Sequence, residues 1–114
     1  HVNRAPLDGL VQDIVRQKGT HLPAFMNRAA SNQQTRMHLE TDDGEMELRQ
    51  ITGTLVRKIV CYVEPGDRVA RGERIGMIRF GSRVEVSIPE GYYLRVDKGD
   101  KVRAGETVIA VRST

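Results

Sequence analysis

Apolar and polar residues alternate with a period of two over much of the chain, the pattern of strands with one dry and one wet face. The clearest case places Met37 and Leu39 on one face of Thr35 to Thr41. Asp42-Asp43-Gly44 follows, and Met46 and Leu48 share one face of Glu45 to Ile51. Alternation on both sides of an Asp-Gly tip predicts a β-hairpin. Upstream, Pro6-Leu7-Asp8-Gly9 is a turn signal, and Val11 and Val15 interleave with polar residues between Leu10 and Gln17, so a turn and then a strand are expected. His21 to Met26 is an apolar patch broken by Pro23, and the polar stretch Asn27 to Gln34 predicts a loop or a short helical turn. Gly53 opens a run from Leu55 to Val63 that is too apolar to show a period and too β-branched for helix, which predicts a buried strand. Two more strands, Arg74 to Arg79 and Val84 to Pro89, flank Phe80-Gly81-Ser82-Arg83. Taken alone, that Gly-Ser pair is a turn.

The second half of the chain repeats itself. Val63 to Ile75 and Val96 to Val108 both read V-x-x-G-D-x-V-x-x-G-E-x-(I/V), offset by 33 residues. Each copy predicts a β-turn-β corner: Gly-Asp turns, the next Val enters the core, Gly-Glu turns again, and Ile or Val starts a strand. The spacing resembles the lipoyl and biotinyl carrier domains, which implies an all-β barrel-sandwich hybrid with a pseudo-symmetric repeat. Ala5 to Val11 looks like the first strand of that fold. Biotinyl carriers hold their modified lysine on a hairpin tip sixteen residues beyond the Gly of the Gly-Asp turn; counted from Gly66, that position is Ser82. With no lysine there, a swinging-arm carrier is disfavoured and the tip presents something else.

Composition narrows the field further. At 114 residues the chain is expected to be one domain, 1–114, and 39% hydrophobic with 29% charged residues is too apolar for disorder. A net charge of +3 suits an anionic partner. Its Lys and Arg are scattered and its aromatics number three Tyr and two Phe, however, so no nucleic acid is expected. Cys61 is the only cysteine and lies in an apolar run, which predicts a small core hydrophobe and no multi-Cys metal site. No stretch reaches the roughly 18 apolar residues of a membrane span. The chain opens at His1 without a Met, and an upstream piece is therefore expected.

A serine after a glycine at an exposed tip can attack the preceding carbonyl, provided that a base takes its proton and donors stabilise the oxyanion. The candidate bases are His1, His21 and His38. His38 is out of phase with Met37 and Leu39 and is expected to face solvent. His21 lies beside Pro23 in a loop, and His1 precedes the Pro-x-Asp-Gly corner.

Three segments together carry a closer resemblance. Arg74 to Arg83, with Phe80-Gly81-Ser82-Arg83 at its end, His1-Val2-Asn3-Arg4-Ala5-Pro6 upstream and Lys98 to Thr107 downstream closely resemble the short prokaryotic phosphatidylserine decarboxylases and the related archaeal archaetidylserine decarboxylases. The resemblance implies self-cleavage between Gly81 and Ser82. Ser82 attacks the Gly81 carbonyl to form an ester, β-elimination releases residues 1–81 as a β chain, and hydrolysis leaves residues 82–114 as an α chain headed by a pyruvoyl group derived from Ser82. That electrophilic carbonyl takes up the amine of a serine head group and accepts the electrons released as CO₂ leaves, with no metal.

The same resemblance assigns His1 and Ser82 as catalytic and puts Arg4 where many relatives have a second His. Phe25, Arg36 and Arg83 are candidate substrate-binding residues; each of the two arginines either meets a phosphate or carboxylate through a bidentate fork or is a solvated strand-edge charge. Leu22, Phe25 and Met26 either line an acyl-chain path or membrane contact, or pack beneath their loop. Phosphatidylserine or a related anionic phospholipid, a membrane surface on the cytoplasmic side reached through an upstream segment, and a homodimer are the implied partners. The competing readings are a soluble pyruvoyl amino-acid decarboxylase and a non-catalytic barrel-sandwich binding module.

Overall fold

The hairpin with the Asp-Gly tip is the centre of the architecture. In the computed structural model, which describes residues 2–54, 58–79 and 81–113, β3 (Gln34–Thr41) and β4 (Gly44–Ile51) pair from Gln34↔Ile51 to Thr41↔Gly44. β2 (Gly9–Gln17) joins the other edge of β3, β6 (Arg68–Val69) caps β2, and β8 (Arg83–Val86) borders β4. The result is a five-stranded antiparallel sheet of order β6-β2-β3-β4-β8. A three-stranded sheet, β1-β7-β5, is built from β1 (Val2–Arg4), β5 (Ile59–Cys61) and β7 (Arg74–Ile78). β9 (Tyr92–Leu94) and β10 (Ala110–Arg112) form a separate antiparallel pair. The fold is all-β and has the form of a barrel-sandwich hybrid, with Asn27–Ser31 as a single 3₁₀ turn where a loop or short helical turn was expected.

The core lies between the two larger sheets. Val11, Met37, Leu39, Met46 and Leu48 from the five-stranded sheet meet Ile75 from β7, with Ala5, Val63 and Val69 closing the ends and Cys61 packed against the cluster. Alternation along β2 does not survive intact. A bulge between Val11 and Asp13 inserts Gln12 and flips the parity of the strand, so Val11 is fully buried while Val15, two turns of the pleat later, is exposed. Ile14 takes the inward place, and Asp13 is delivered to the outer face opposite His38.

The two copies of the repeat are treated differently. In the first, Val69 and Ile75 are 4% and 0% exposed, because β6 pairs with Gly9 and Leu10 and closes the corner over the core. In the second, the equivalent Val102 and Val108 are 52% and 59% exposed, since no described strand pairs with that turn. The turn geometry itself repeats: Asp67 and Asp100 each accept the N–H of the residue three positions earlier.

Two strands are shorter than their patterns suggest. β8 stops at Val86: the Ser87 N–H still donates to the Glu47 carbonyl at 2.9 Å, but the Glu47 N–H goes to Ser87 Oγ at 2.6 Å, so a side chain takes half of the next rung. Of the run from Leu55 to Val63, Ile59–Cys61 is strand, and Leu55, Val56 and Arg57 lie outside the described residues.

Candidate functional site

Ser82 sits where the chain crosses from one sheet to the other. β7 belongs to the three-stranded sheet and β8 to the five-stranded sheet, so the segment from Arg79 to Ser82 is the bridge between layers. Gly81 is exposed and has φ +88°, a left-handed conformation that an L side chain would strain. Ser82 is half-buried, and its hydroxyl donates to the Arg79 carbonyl at 2.8 Å. The chain turns sharply at this left-handed glycine, and the Gly81-Ser82 bond lies outside both ladders. Phe80 lies outside the described residues.

Arg83 ties this tip to the loop expected to meet substrate. One of its Nη atoms donates to the carbonyls of Ala24 and Met26, each at 3.2 Å, and the other pairs with Glu85 at 3.0 Å. Its Nε is buried with no hydrogen-bond partner among the described residues. The guanidinium is thus a strut between β8 and the 22–26 loop. Phe25, between the two acceptor residues, is 88% exposed, while Leu22 and Met26 are half-buried.

Arg36 stands elsewhere. It lies on the outer face of β3, separated from β8 by β4, and donates to Glu47 at 2.9 Å. It belongs to a charged row that alternation along one strand could not reveal. His38 stands directly opposite Asp13 on β2 and Glu47 on β4; Nδ1 meets the Asp13 carboxylate, and Nε2 meets Glu47 at 2.8 Å. His38 stands on the outer face, as its phase along β3 predicts, and there it forms a half-buried bridge across three strands. Arg49 also pairs with Glu47 and reaches Glu85 at 3.7 Å, which continues the row to Arg83.

The charge states follow from these contacts. With a carboxylate at each ring nitrogen, both must carry hydrogen, and the hydrogen bonds to Asp13 and then Glu47 raise the His38 pKa above 6.5 against the opposing effect of burial. Burial would raise Glu47, but hydrogen bonds from Arg36, Arg49 and His38 outweigh it and bring the carboxyl from 4.5 to about 2. Stability from Glu47 is present above its unfolded value of 4.5 and is lost as the pH falls toward about 2. Stability from His38 is present below 6.5 and is lost as the pH rises through its raised folded value. Thermal unfolding should accordingly show its highest midpoint between about pH 4.5 and 6.5 from this cluster. His38→Gln should flatten the alkaline side of that profile, and an unchanged alkaline slope would rule out the imidazolium bridge.

The other two histidines are placed less centrally. His21 Nε2 bonds the Gln33 side chain at 2.9 Å. His1 lies outside the described residues; its neighbour Val2 pairs with Met77 near the end of β7 that leads into the Gly81-Ser82 tip. Arg4, at the other end of β1, donates to the Gly72 carbonyl at 2.7 Å, and its side chain also lies where a Cβ on Gly105 would sit. It holds the matching Gly-Glu turns of both repeat copies.

Sequence reasoning missed a polar knot beneath the tip. Asn32 is completely buried; its Oδ1 accepts from Thr20 Oγ1 at 2.7 Å and from the Leu22 N–H at 3.0 Å, and its Nδ2 donates to the carbonyls of Leu22 at 2.8 Å and Thr52 at 2.7 Å. Thr52 in turn donates its N–H and hydroxyl to the Gln33 carbonyl. The knot fixes the start of the 22–26 loop to the end of β4. An Asn in a polar stretch gives no signal of it. Among the described residues no helix is long and apolar enough to cross a membrane.

An all-β scaffold that lifts a Gly-Ser bond out of a sheet-to-sheet crossover defines a presentation site rather than an apolar binding cleft. Comparison with known proteins gives the class a family. The family profile described as phosphatidylserine decarboxylase matches residues 1–110. A Methanococcoides burtonii protein whose name proposes an archaetidylserine decarboxylase proenzyme is 48% identical over 110 residues, covering 96% of this chain and 53% of that protein. The phosphatidylserine decarboxylase proenzymes of Streptomyces avermitilis and Thermobifida fusca are 45% and 48% identical, covering 96% and 94% of this chain and 51% and 49% of their own lengths. The chain belongs to the phosphatidylserine decarboxylase family. It spans about half the length of the curated relatives it matches. No solved structure matches it.

Proposed function

We propose that the protein containing this chain cleaves itself between Gly81 and Ser82 and then decarboxylates phosphatidylserine to phosphatidylethanolamine. The observation that carries the reading is the Gly81-Ser82 bond raised at the crossover between β7 and β8, in a chain of this family. The residues fit the group that would form there. Ser82 supplies all its carbon atoms, and Gly81 offers no side chain in front of the carbonyl that the hydroxyl must reach. In the cleavage, Ser82 Oγ adds to the Gly81 carbonyl carbon and the peptide C–N bond breaks, leaving an ester and a free amine. Loss of the Ser82 α proton then breaks the ester C–O bond, with the electron pair leaving on the Gly81 carboxylate. One water replaces one ammonia at position 82. Residues 1–81 become the β chain and 82–114 the α chain.

A pyruvoyl group at position 82 supplies an electron-accepting carbonyl for the loss of CO₂. The chain's own residues orient the substrate and move protons. His1, next to the Val2 that pairs with Met77, is the base for processing and the proton donor to the substrate carbon. Arg83, half-buried beside Ser82 and already donating to the 22–26 loop, holds that loop against the tip. Phe25 reaches the acyl region or the membrane surface, and the protein works against the cytoplasmic leaflet. Arg36 is satisfied by Glu47 on the sheet face, and so its contribution to head-group binding is the weakest of the three.

The test is release of CO₂ from carboxyl-labelled substrate by the full-length protein. Release from phosphatidylserine vesicles, with none from free serine, is expected. Release from free serine would point to an amino-acid decarboxylase, a clear preference for diether archaetidylserine would move the lipid assignment, and release from none would leave the binding-module reading.

A further inference from the structure

We infer that Gly53 is a positioning residue for self-cleavage: the absence of its Cβ gives the Gly81 carbonyl, the one that Ser82 attacks, a seat against the end of β4. The inference rests on the proposed cleavage between Gly81 and Ser82.

The register brings the two glycines together. β4 and β8 pair antiparallel, and the ladder ends at Ile51↔Arg83. Two positions further along the same register, Gly53 faces Gly81. Here the strands have stopped pairing, yet the backbones remain packed. A Cβ built on Gly53 would lie 1.9 Å from the Gly81 oxygen and 3.1 Å from its carbonyl carbon, with the Ala24 Cβ next at 3.5 Å. Both nearest atoms belong to one peptide group, the bond to be broken. Gly53 is buried, whereas Gly81 is exposed at the tip.

The seat itself is rigid. Thr52, just before Gly53, is fully buried and held through its N–H, hydroxyl and carbonyl by Gln33 and Asn32. Arg83, just after the tip, is held by the Ala24 and Met26 carbonyls. The part that yields to a side chain at position 53 is therefore the exposed tip. The scissile carbonyl would have to retreat by more than an ångström to reach an ordinary contact distance. A displacement of that size between attacking and reacting atoms costs about 100-fold in rate. Gly53 also lacks the left-handed φ of the turn glycines, so alanine fits its backbone and the contact with Gly81 is what the substitution probes.

The experiment uses the full-length protein in two backgrounds. With Ser82 present, Gly53→Ala should slow conversion to two chains about 100-fold, followed by denaturing mass spectrometry, while the melting midpoint of the uncleaved form stays near that of a Ser82→Ala reference. With Ser82→Ala in place nothing can cleave; the peptide joining Gly81 to the new alanine is the only Gly-Ala bond in residues 1–114, and in the full-length protein its cross-peak is the one that the parent with Ser82 lacks. Glycine ¹³C-carbonyl and alanine ¹⁵N labelling then reports that bond directly, and adding Gly53→Ala should shift its cross-peak. Cleavage at the parent rate, or an unmoved cross-peak, overturns the seat. If the parent protein itself stays a single chain, the cleavage reading fails, and with it the role in processing, whereas the carbonyl contact is still decided by the labelled pair.

Discussion

Ser82→Ala leaves the full-length protein as one uncleaved chain that does not react with hydrazine and releases no CO₂ from phosphatidylserine. The loss is complete because the hydroxyl serves twice: its oxygen is the nucleophile, and its carbon skeleton becomes the electrophile. The substitution should be silent for folding. Ser82 is half-buried, and among the described residues its side chain makes one hydrogen bond, donated to the Arg79 carbonyl within the same tip. That bond also shows what must happen first in the native protein, since Oγ has to leave Arg79 before it turns on Gly81. Ser82→Cys keeps a nucleophile at the same carbon and should restore partial cleavage. Unimpaired cleavage of Ser82→Ala, measured as the fraction of two-chain protein, would place the reacting residue elsewhere.

Asn32→Ala is expected to be the most damaging change away from the tip. The substitution removes four hydrogen bonds at once and leaves the Leu22 N–H and the Leu22 and Thr52 carbonyls without this partner around a fully buried site. Each unsatisfied buried group costs about 1–3 kcal/mol, so a loss of about 3 kcal/mol or more is expected, visible as a drop of roughly 10 °C in the melting midpoint. Asn32→Asp separates packing from hydrogen bonding. It keeps the acceptor for Thr20 and Leu22 but turns an oxygen toward two carbonyls, so it should be more destabilising at neutral pH than at a pH low enough to protonate it. Equal stability of Asn32→Ala and the parent in thermal unfolding would contradict the knot.

How much of this could be read from the residues depends on how far apart the interacting groups are. The hairpin from Gln34 to Ile51 was legible because period-two alternation and its Asp-Gly tip lie within one short segment. Ser82 was legible because the repeat supplied a ruler that reached it. Val15 was misplaced by a single extra residue, Gln12, since a bulge reverses which face every later side chain occupies. The core position expected of Val102 followed from a symmetry of sequence that packing does not share: Val69 has β2 to close over it, and Val102 has no such strand among the described residues.

The surroundings of the site were the least legible part. His38 is bridged by Asp13, 25 positions away, and Glu47, nine positions away, so its phase along β3 said only that it avoids the core. Gly53 read as the opening of a strand, since the carbonyl that needs its missing side chain comes from Gly81, beyond β5, β6 and β7 in the chain. Arg83 read as a head-group ligand or a solvated strand-edge charge, and its two loop carbonyls became visible only once the 22–26 loop was seen beside the tip.

Self-cleavage at Gly81-Ser82 is the central claim, and the intact mass of the full-length protein under denaturing conditions tests it most directly. Two chains are predicted: a larger one ending in the Gly81 carboxylate, and a smaller one beginning at position 82, blocked to Edman degradation and lighter by one ammonia than the same peptide headed by serine. A single unbroken chain, or a smaller chain with a free serine amine at position 82, would contradict it.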